Sequence, residues 1–322
     1  STGSLKEFSK FSRIVQINLL DYFFCLLILK LKKKNFYCIH SHLSKGFYFG
    51  LLIPSKKKIY TEHNSWNKRR KFFLTKLLDP FLYSKYDHII CISEGVKKSL
   101  MKFLGNNLLL NEPRLIYNWV NPVFLNSKDF VEENIERKIK EMRNGPIKSV
   151  MIGSFTKQKI QRDLLNLLKT FPNLELIFVG DGYLRNELVE EIKLRNLKER
   201  VVFTGSIPSN EIYQILTKCH IYLHSVAWEG FGIAPLEAMS LGIPVIASNV
   251  LGLSEVVNSK DFLVDSFSEF KVLKLLRKLI KDPSFYRSNS IFFYRQSLKF
   301  SLKKSINEYD EFYSFNNSKQ IT

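Results

Sequence analysis

A chain of 322 residues with 45% hydrophobic and 25% charged residues has the length of about two domains, each with a sizeable core. The net charge of +19 is far from ordinary, and residues 1–125 carry 21 Lys and Arg against 7 Asp and Glu. That balance reflects a general basic skew or an anionic partner such as a membrane surface or a lipid-linked diphosphate; no nucleic-acid motif accompanies it, which excludes nucleic acid.

Cys25, Cys38, Cys91 and Cys219 sit in apolar runs without metal-ligand spacing, so small buried side chains and a reducing cytoplasm are expected. The opening residues lack signal-peptide organisation. Ile17–Leu31 is very apolar, but Asn18, Asp21 and Lys30 interrupt it. It is also shorter than the ~20 residues of a transmembrane helix. It reads as a core or interface helix ending in Lys32-Lys33-Lys34, with a place on a membrane surface as the alternative.

Strand and helix patterns then alternate, as in a doubly wound α/β sheet. Phe36–Ile39 reads as a strand, Gly46–Ile53 as the start of a helix, and Lys58–Thr61 as a strand leading into Glu62-His63-Asn64. A basic helix over Lys68–Leu78, a strand at His88–Ile92 and a helix capped by Ser93 and closed by Gly105 follow. Arg114–Phe124 reads as a strand and turn, which puts the end of the first domain near residue 125. Residues 126–146 are polar and charged, end in Asn144-Gly145-Pro146, and read as a linker.

The second domain, 147–290, opens with strand Ser149–Ile152 and the turn Gly153-Ser154-Phe155. Strand Leu174–Val179 feeds Gly180-Asp181-Gly182, and an amphipathic helix covers 183–197. Strand Val201–Gly205 is followed by Ser206-Ile207-Pro208, and Cys219–Ser225 is the strand before HSVAWEGFGIAPLEAMSLGIPVIAS, residues 224–248. In that stretch Pro235 suits a helix's first turn, Gly242 suits the residue past its end, and Val245-Ile246-Ala247 reads as a buried strand. Gly230 and Gly232 let backbone N–H groups approach an anion at the helix N-terminus. Glu229 and Glu237 flank the same turn. Carboxylates beside an anion site make sense for a sugar nucleotide: amides and a cation take the diphosphate, while the acids accept from sugar and ribose hydroxyls.

EGFGIAPLE, followed by AMSLGIPVIAS and GLSEVV, resembles the E-x7-E signature of family-4 (group 1) retaining glycosyltransferases of the GT-B fold. NFYCIHSHLSKG and TKQKIQRDLLNLL resemble capsule and exopolysaccharide members. The resemblance implies two Rossmann-like domains facing a cleft, with a terminal helix, 291–315, crossing back to the first domain. SRIVQINLLDYF resembles a segment well inside that first domain, so the chain is expected to lack the first strands of an acceptor-side domain, 1–125. The family's usual Gly and Asp after the last strand of that domain are Trp119 and Asn121 here.

By the same resemblance, Glu229 holds the donor sugar and Glu237 the ribose, while Gly153, Gly230, Phe231 and Gly232 meet the diphosphate. The family's usual Arg is replaced by Ser154, which leaves Lys159 as the phosphate ligand and Lys157 as the fallback. Backbone at Ile207 meets the base, and His63 contributes beside the transferred sugar, ahead of His40 and His42. No D-x-D and no Cys/His cluster is present, so no metal and no cofactor are expected. No dinucleotide fingerprint, P-loop or nucleophile elbow occurs either. The expected activity is metal-independent transfer of a sugar from a nucleotide diphosphate-sugar, a UDP-sugar being favoured, to a lipid-linked or polysaccharide acceptor. Such a chain would work in the cytoplasm, at the inner face of the cell membrane. A sugar-nucleotide epimerase and a non-catalytic GT-B partner are the competing readings.

Overall fold

The computed structural model describes residues 36–105, 111–267 and 270–313. They form two compact units: one runs to Tyr117 and resumes at Lys303, the other spans Asn118–Leu302. The expected helix at Ile17–Leu31 lies outside the described residues.

In the first unit, β1 (Phe36–His42), β2 (Ser55–Glu62), β3 (His88–Cys91) and β4 (Arg114–Leu115) lie in chain order in one parallel sheet. Helices α1 (Leu43–Leu52), α2 (Phe73–Tyr83) and α3 (Glu94–Leu104) connect them. The Ser93 hydroxyl accepts from the Val96 amide at 3.0 Å, and Gly105 closes α3 at φ 72°, so this helix is bounded by its own short-range chemistry. Ile59, Ile90 and Ile116 pack with Phe312 of a terminal helix, Leu302–Tyr313. The basic helix read over Lys68–Leu78 is two elements, a 3-10 turn at Lys68–Lys71 and then α2. The break falls at Phe72, whose extended backbone cannot continue a helix.

The second unit holds β5 (Ile147–Ile152), β6 (Leu174–Val179), β7 (Val201–Gly205), β8 (Ile221–His224), β9 (Val245–Ser248) and β10 (Leu263–Val264), in the parallel order β10-β9-β8-β5-β6-β7. Around it run α4 (Lys128–Asn144), α5 (Gln161–Leu164), α6 (Leu167–Thr170), α7 (Arg185–Leu194), α8 (Ser209–Lys218), α9 (Ile233–Ser240), α10 (Leu253–Val257), α11 (Phe270–Lys281) and α12 (Pro283–Ser297). Every residue of β8 and β9 is buried, as expected of central parallel strands covered on both faces.

The expected linker, 126–146, is in fact mostly α4. Its charged residues hide a stripe at helical spacing, and Val131, Ile135, Ile139 and Met142 are buried against the body of the unit, where α4 packs on α12. The Ser127 hydroxyl caps it through the Phe130 amide at 3.2 Å. By compactness the chain parts after Tyr117 and again after Leu302. No described helix is long and apolar enough to cross a membrane.

Candidate functional site

In the second unit the chain runs outward from β5 through β6 to β7, then returns to the other side of β5 for β8, β9 and β10. The loops after β5 and β8 thus leave the carboxyl ends of adjacent strands in opposite directions. Ligands of open α/β sheets bind at such a switch point. Lys159 comes from the first loop and Glu229 from the second.

The two loops are laced together by backbone. The Ile160 amide donates to the Ser225 carbonyl at 2.9 Å, and the Ala227 amide to the Gln158 carbonyl at 2.9 Å. The Gln158 side-chain amide donates to the Trp228 carbonyl at 2.9 Å. Within this frame Lys159 Nζ lies 2.5 Å from Glu229 Oε2, and His224 Nε2 lies 3.1 Å from the same oxygen. The Gly230 amide donates to Glu229 Oε1 at 3.1 Å.

Burial alone would raise the Glu229 pKa, but the His224 hydrogen bond and the Lys159 charge outweigh it and hold the carboxyl down at about 2. Burial, helped by the Lys159 charge, lowers His224 to about 4, so its imidazole is neutral at pH 7. A neutral ring with its proton on Nε2 donates to Glu229 and can accept at Nδ1 from the Tyr222 hydroxyl, 3.4 Å away. The cation at Lys159, unfavourable at a helix start on its own, therefore already has a carboxylate partner. Lys157 is exposed.

Three glycine contacts make this geometry possible. A Cβ at Gly153 would lie 3.1 Å from Lys159 Cε, in the path of the lysine stem. One at Gly180 would meet the Gly153 carbonyl oxygen at 2.3 Å, and one at Gly252 would meet the Gly230 carbonyl oxygen at 2.3 Å. Gly252 also sits at φ 85°. Gly232 begins α9 at φ 97°, a conformation that L side chains rarely adopt.

Glu237 lies in α9, 9% exposed, and burial pushes its carboxyl up to about 7. Phe231 is buried with its ring edge-on to Phe300, a centroid separation of 5.3 Å. Ser154 is exposed and Ile207 half-buried, on the loops after β5 and β7. Gly153, Lys159, Glu229 and Gly230 thus meet directly, and Gly232 is the N-cap of α9, which carries Glu237.

His63 belongs to the first unit, where its Nε2 lies 3.0 Å from His42 Nδ1. His40 Nε2 lies 2.7 Å from the Thr61 hydroxyl, and the His40 and His42 rings are 4.3 Å apart. Burial lowers His63 to about 4. Among the described residues no cluster of His, Cys, Asp and Glu could hold a metal ion.

Residues 132–291 match the family model described as glycosyl transferases group 1, and residues 11–124 match glycosyltransferase family 4. The chain carries glycosyltransferase domains. An uncharacterized 41.2 kDa protein in the cps region of Klebsiella pneumoniae is 28% identical over 75% of this chain and 68% of its own. An uncharacterized glycosyltransferase of Methanocaldococcus jannaschii is 25% identical over 83% and 71%. Among solved structures, Anabaena HepE in complex with UDP and glucose superposes with a TM-score of 0.70 at 20% identity, over 86% of this chain and 77% of that one. The fold is GT-B, two Rossmann-like domains. On this GT-B fold, His224, Gly180 and Gly252 are site-building residues that the motif does not reveal. The one signal for His224 is a polar residue ending an otherwise apolar strand.

Proposed function

We propose that the chain is a retaining, metal-independent glycosyltransferase that moves a sugar from a nucleotide diphosphate-sugar, a UDP-sugar being favoured, to a lipid-linked or polysaccharide acceptor in cell-surface glycan biosynthesis. The carrying observation is the Lys159–Glu229 pair, 2.5 Å apart at the switch point of the second sheet. It sets a cation for the diphosphate beside a carboxylate for the sugar. Negative charge gathers on the diphosphate as the glycosidic bond breaks, so Lys159 and the amides around Phe231 and Gly232 stabilise the transition state more than the ground state. Gly153 and Ser154 line the same diphosphate, Ile207 backbone meets the base, and Glu237 takes the ribose hydroxyls. Glu229, ionised across the working pH range, accepts from the sugar hydroxyls and orients the donor, and His63 is assigned to the transferred sugar. The UDP and glucose held by HepE, and the cps setting of the Klebsiella relative, support this choice of donor and acceptor class. We place the enzyme in the cytoplasm, peripheral to the inner face of the cell membrane.

Thermal shift with UDP, GDP, ADP and their sugars tests the donor site. UDP is expected to stabilise the chain most, and Lys159→Ala to weaken its binding by ~1.5–3 kcal/mol, the scale of a hydrogen bond to a charged group. No shift with any nucleotide, or the loss appearing in Lys157→Ala instead, overturns the assignment. The anomeric configuration of the transferred sugar, read by NMR, tests retention.

A further inference from the structure

Helix α2 turns its apolar stripe outward. Its buried residues are Asp79, Pro80 and Tyr83, with Asp79 paired to Arg69 at 3.1 Å and accepting from the Tyr48 hydroxyl at 2.8 Å. Phe73, Leu74, Leu77, Leu78 and Phe81 fall at i, i+1, i+4, i+5 and i+8, one face of a 3.6-residue helix. Together with the preceding Phe72 they are 53–78% exposed. A domain that buries an aspartate and leaves six large apolar side chains in water has a second solvent in view.

The charges around the stripe say which. From Ser65 to Tyr86 the chain has six Lys and Arg and a single acid, the buried Asp79. Lys71, Lys76 and Lys85 are exposed. Lys85 Nζ lies 4.4 Å from the centre of the Phe81 ring, and Lys71 Nζ 5.3 Å from that of Trp66. We propose that this face docks on an anionic lipid bilayer, with α2 lying in the interface plane, its Phe and Leu side chains at the acyl boundary and its lysines among the headgroups. An apolar patch alone would also suit another protein. A segment from Ser65 to Tyr86 whose exposed charges are all positive suits a negatively charged surface. At 11 residues α2 is about 16 Å long, enough to lie on a bilayer and too short to cross one. This sharpens the peripheral placement proposed above and does not depend on the donor chemistry.

Flotation of the full chain with vesicles tests it. Binding is expected to phosphatidylcholine vesicles containing phosphatidylglycerol, weakening as salt rises, and not to phosphatidylcholine alone. Leu77→Ser with Phe81→Ser should abolish binding while leaving the melting temperature and the UDP-induced shift unchanged, because both side chains are exposed. Lys71→Gln, Lys76→Gln and Lys85→Gln together should weaken binding on the order of 100-fold. Equal binding to both kinds of vesicle, or undiminished binding by either variant, overturns the proposal. So does an apolar variant that converts an oligomer to a monomer without losing vesicle binding, which would assign the face to a second copy. If no nucleotide binds but vesicles still do, the donor reading falls and the docking face stands.

Discussion

Glu62 and Glu229, one in each unit, are each held by a cation together with further hydrogen-bond donors. Glu62 takes the Arg70 guanidinium at 2.9 Å, the Tyr83 hydroxyl at 2.5 Å and the Asn64 amide at 3.2 Å. Glu229 takes Lys159 at 2.5 Å, His224 at 3.1 Å and the Gly230 amide at 3.1 Å. The donors of Glu62 all lie in the segment that follows it, and its side chain is 0% exposed. Those of Glu229 come from two strand ends at a switch point, and its side chain keeps 16% of its surface open. A cationic partner with further donors therefore does not separate a carboxylate that pins a fold from one that meets a ligand. Residual exposure and the origin of the donors do.

The largest expected effect is on the pinning side of this contrast. Glu62→Ala strands the Arg70 charge and should destabilise the first unit by about 3–5 kcal/mol, the usual scale for breaking a buried pair. Chemical denaturation measures it, and UDP affinity should not move. A stability loss under about 1 kcal/mol would make Glu62 an ordinary surface-type pair. On the ligand side, Glu229→Gln keeps the volume and releases Lys159, so transfer should fall on the order of 100-fold through lost orientation while UDP binding is retained. Equal losses in both would show that Glu229 serves only to hold the loops.

The smallest effect sharpens the role of exposure further. Burial penalises the charge of Glu237 and pushes its carboxyl up to about 7. Ribose hydroxyls need the carboxylate as acceptor, so below pH 7 binding must first remove a proton, and affinity should fall by up to about tenfold per pH unit. The nucleotide's own phosphate titrates in the same range. The difference between wild type and Glu237→Gln, followed by calorimetry from pH 8 to pH 5, isolates the carboxyl. Parallel profiles would remove Glu237 from the ribose. Without ligand the sign reverses: a raised carboxyl pKa adds stability that is fully present below the unfolded value and lost as pH rises through 7.

Much of both units was legible in their residues. Gly232, Pro235 and Gly242 bound α9, Ser93 and Gly105 bound α3, and the apolar runs of β5, β8 and β9 are strands. Each of these depends on φ restrictions, cap hydrogen bonds and side-chain period, which act within a few residues. The α4 stripe was equally local, but its charged positions masked it. Other features have no local signature. Which way α2 faces depends on Asp79 finding Arg69, which lets the polar side turn inward. That Lys159 answers to Glu229, 70 residues on, depends on β8 returning beside β5. The close passes of Gly180 on Gly153 and of Gly252 on Gly230 depend on loops laid side by side by the sheet. By itself the sequence determined the turns, caps and strands and the glutamate spacing of the donor motif, because short-range sterics and hydrogen bonds suffice for them. Only the tertiary structure decided which charges neutralise one another and which faces stay open, because sheet order alone sets distances between residues far apart in the chain.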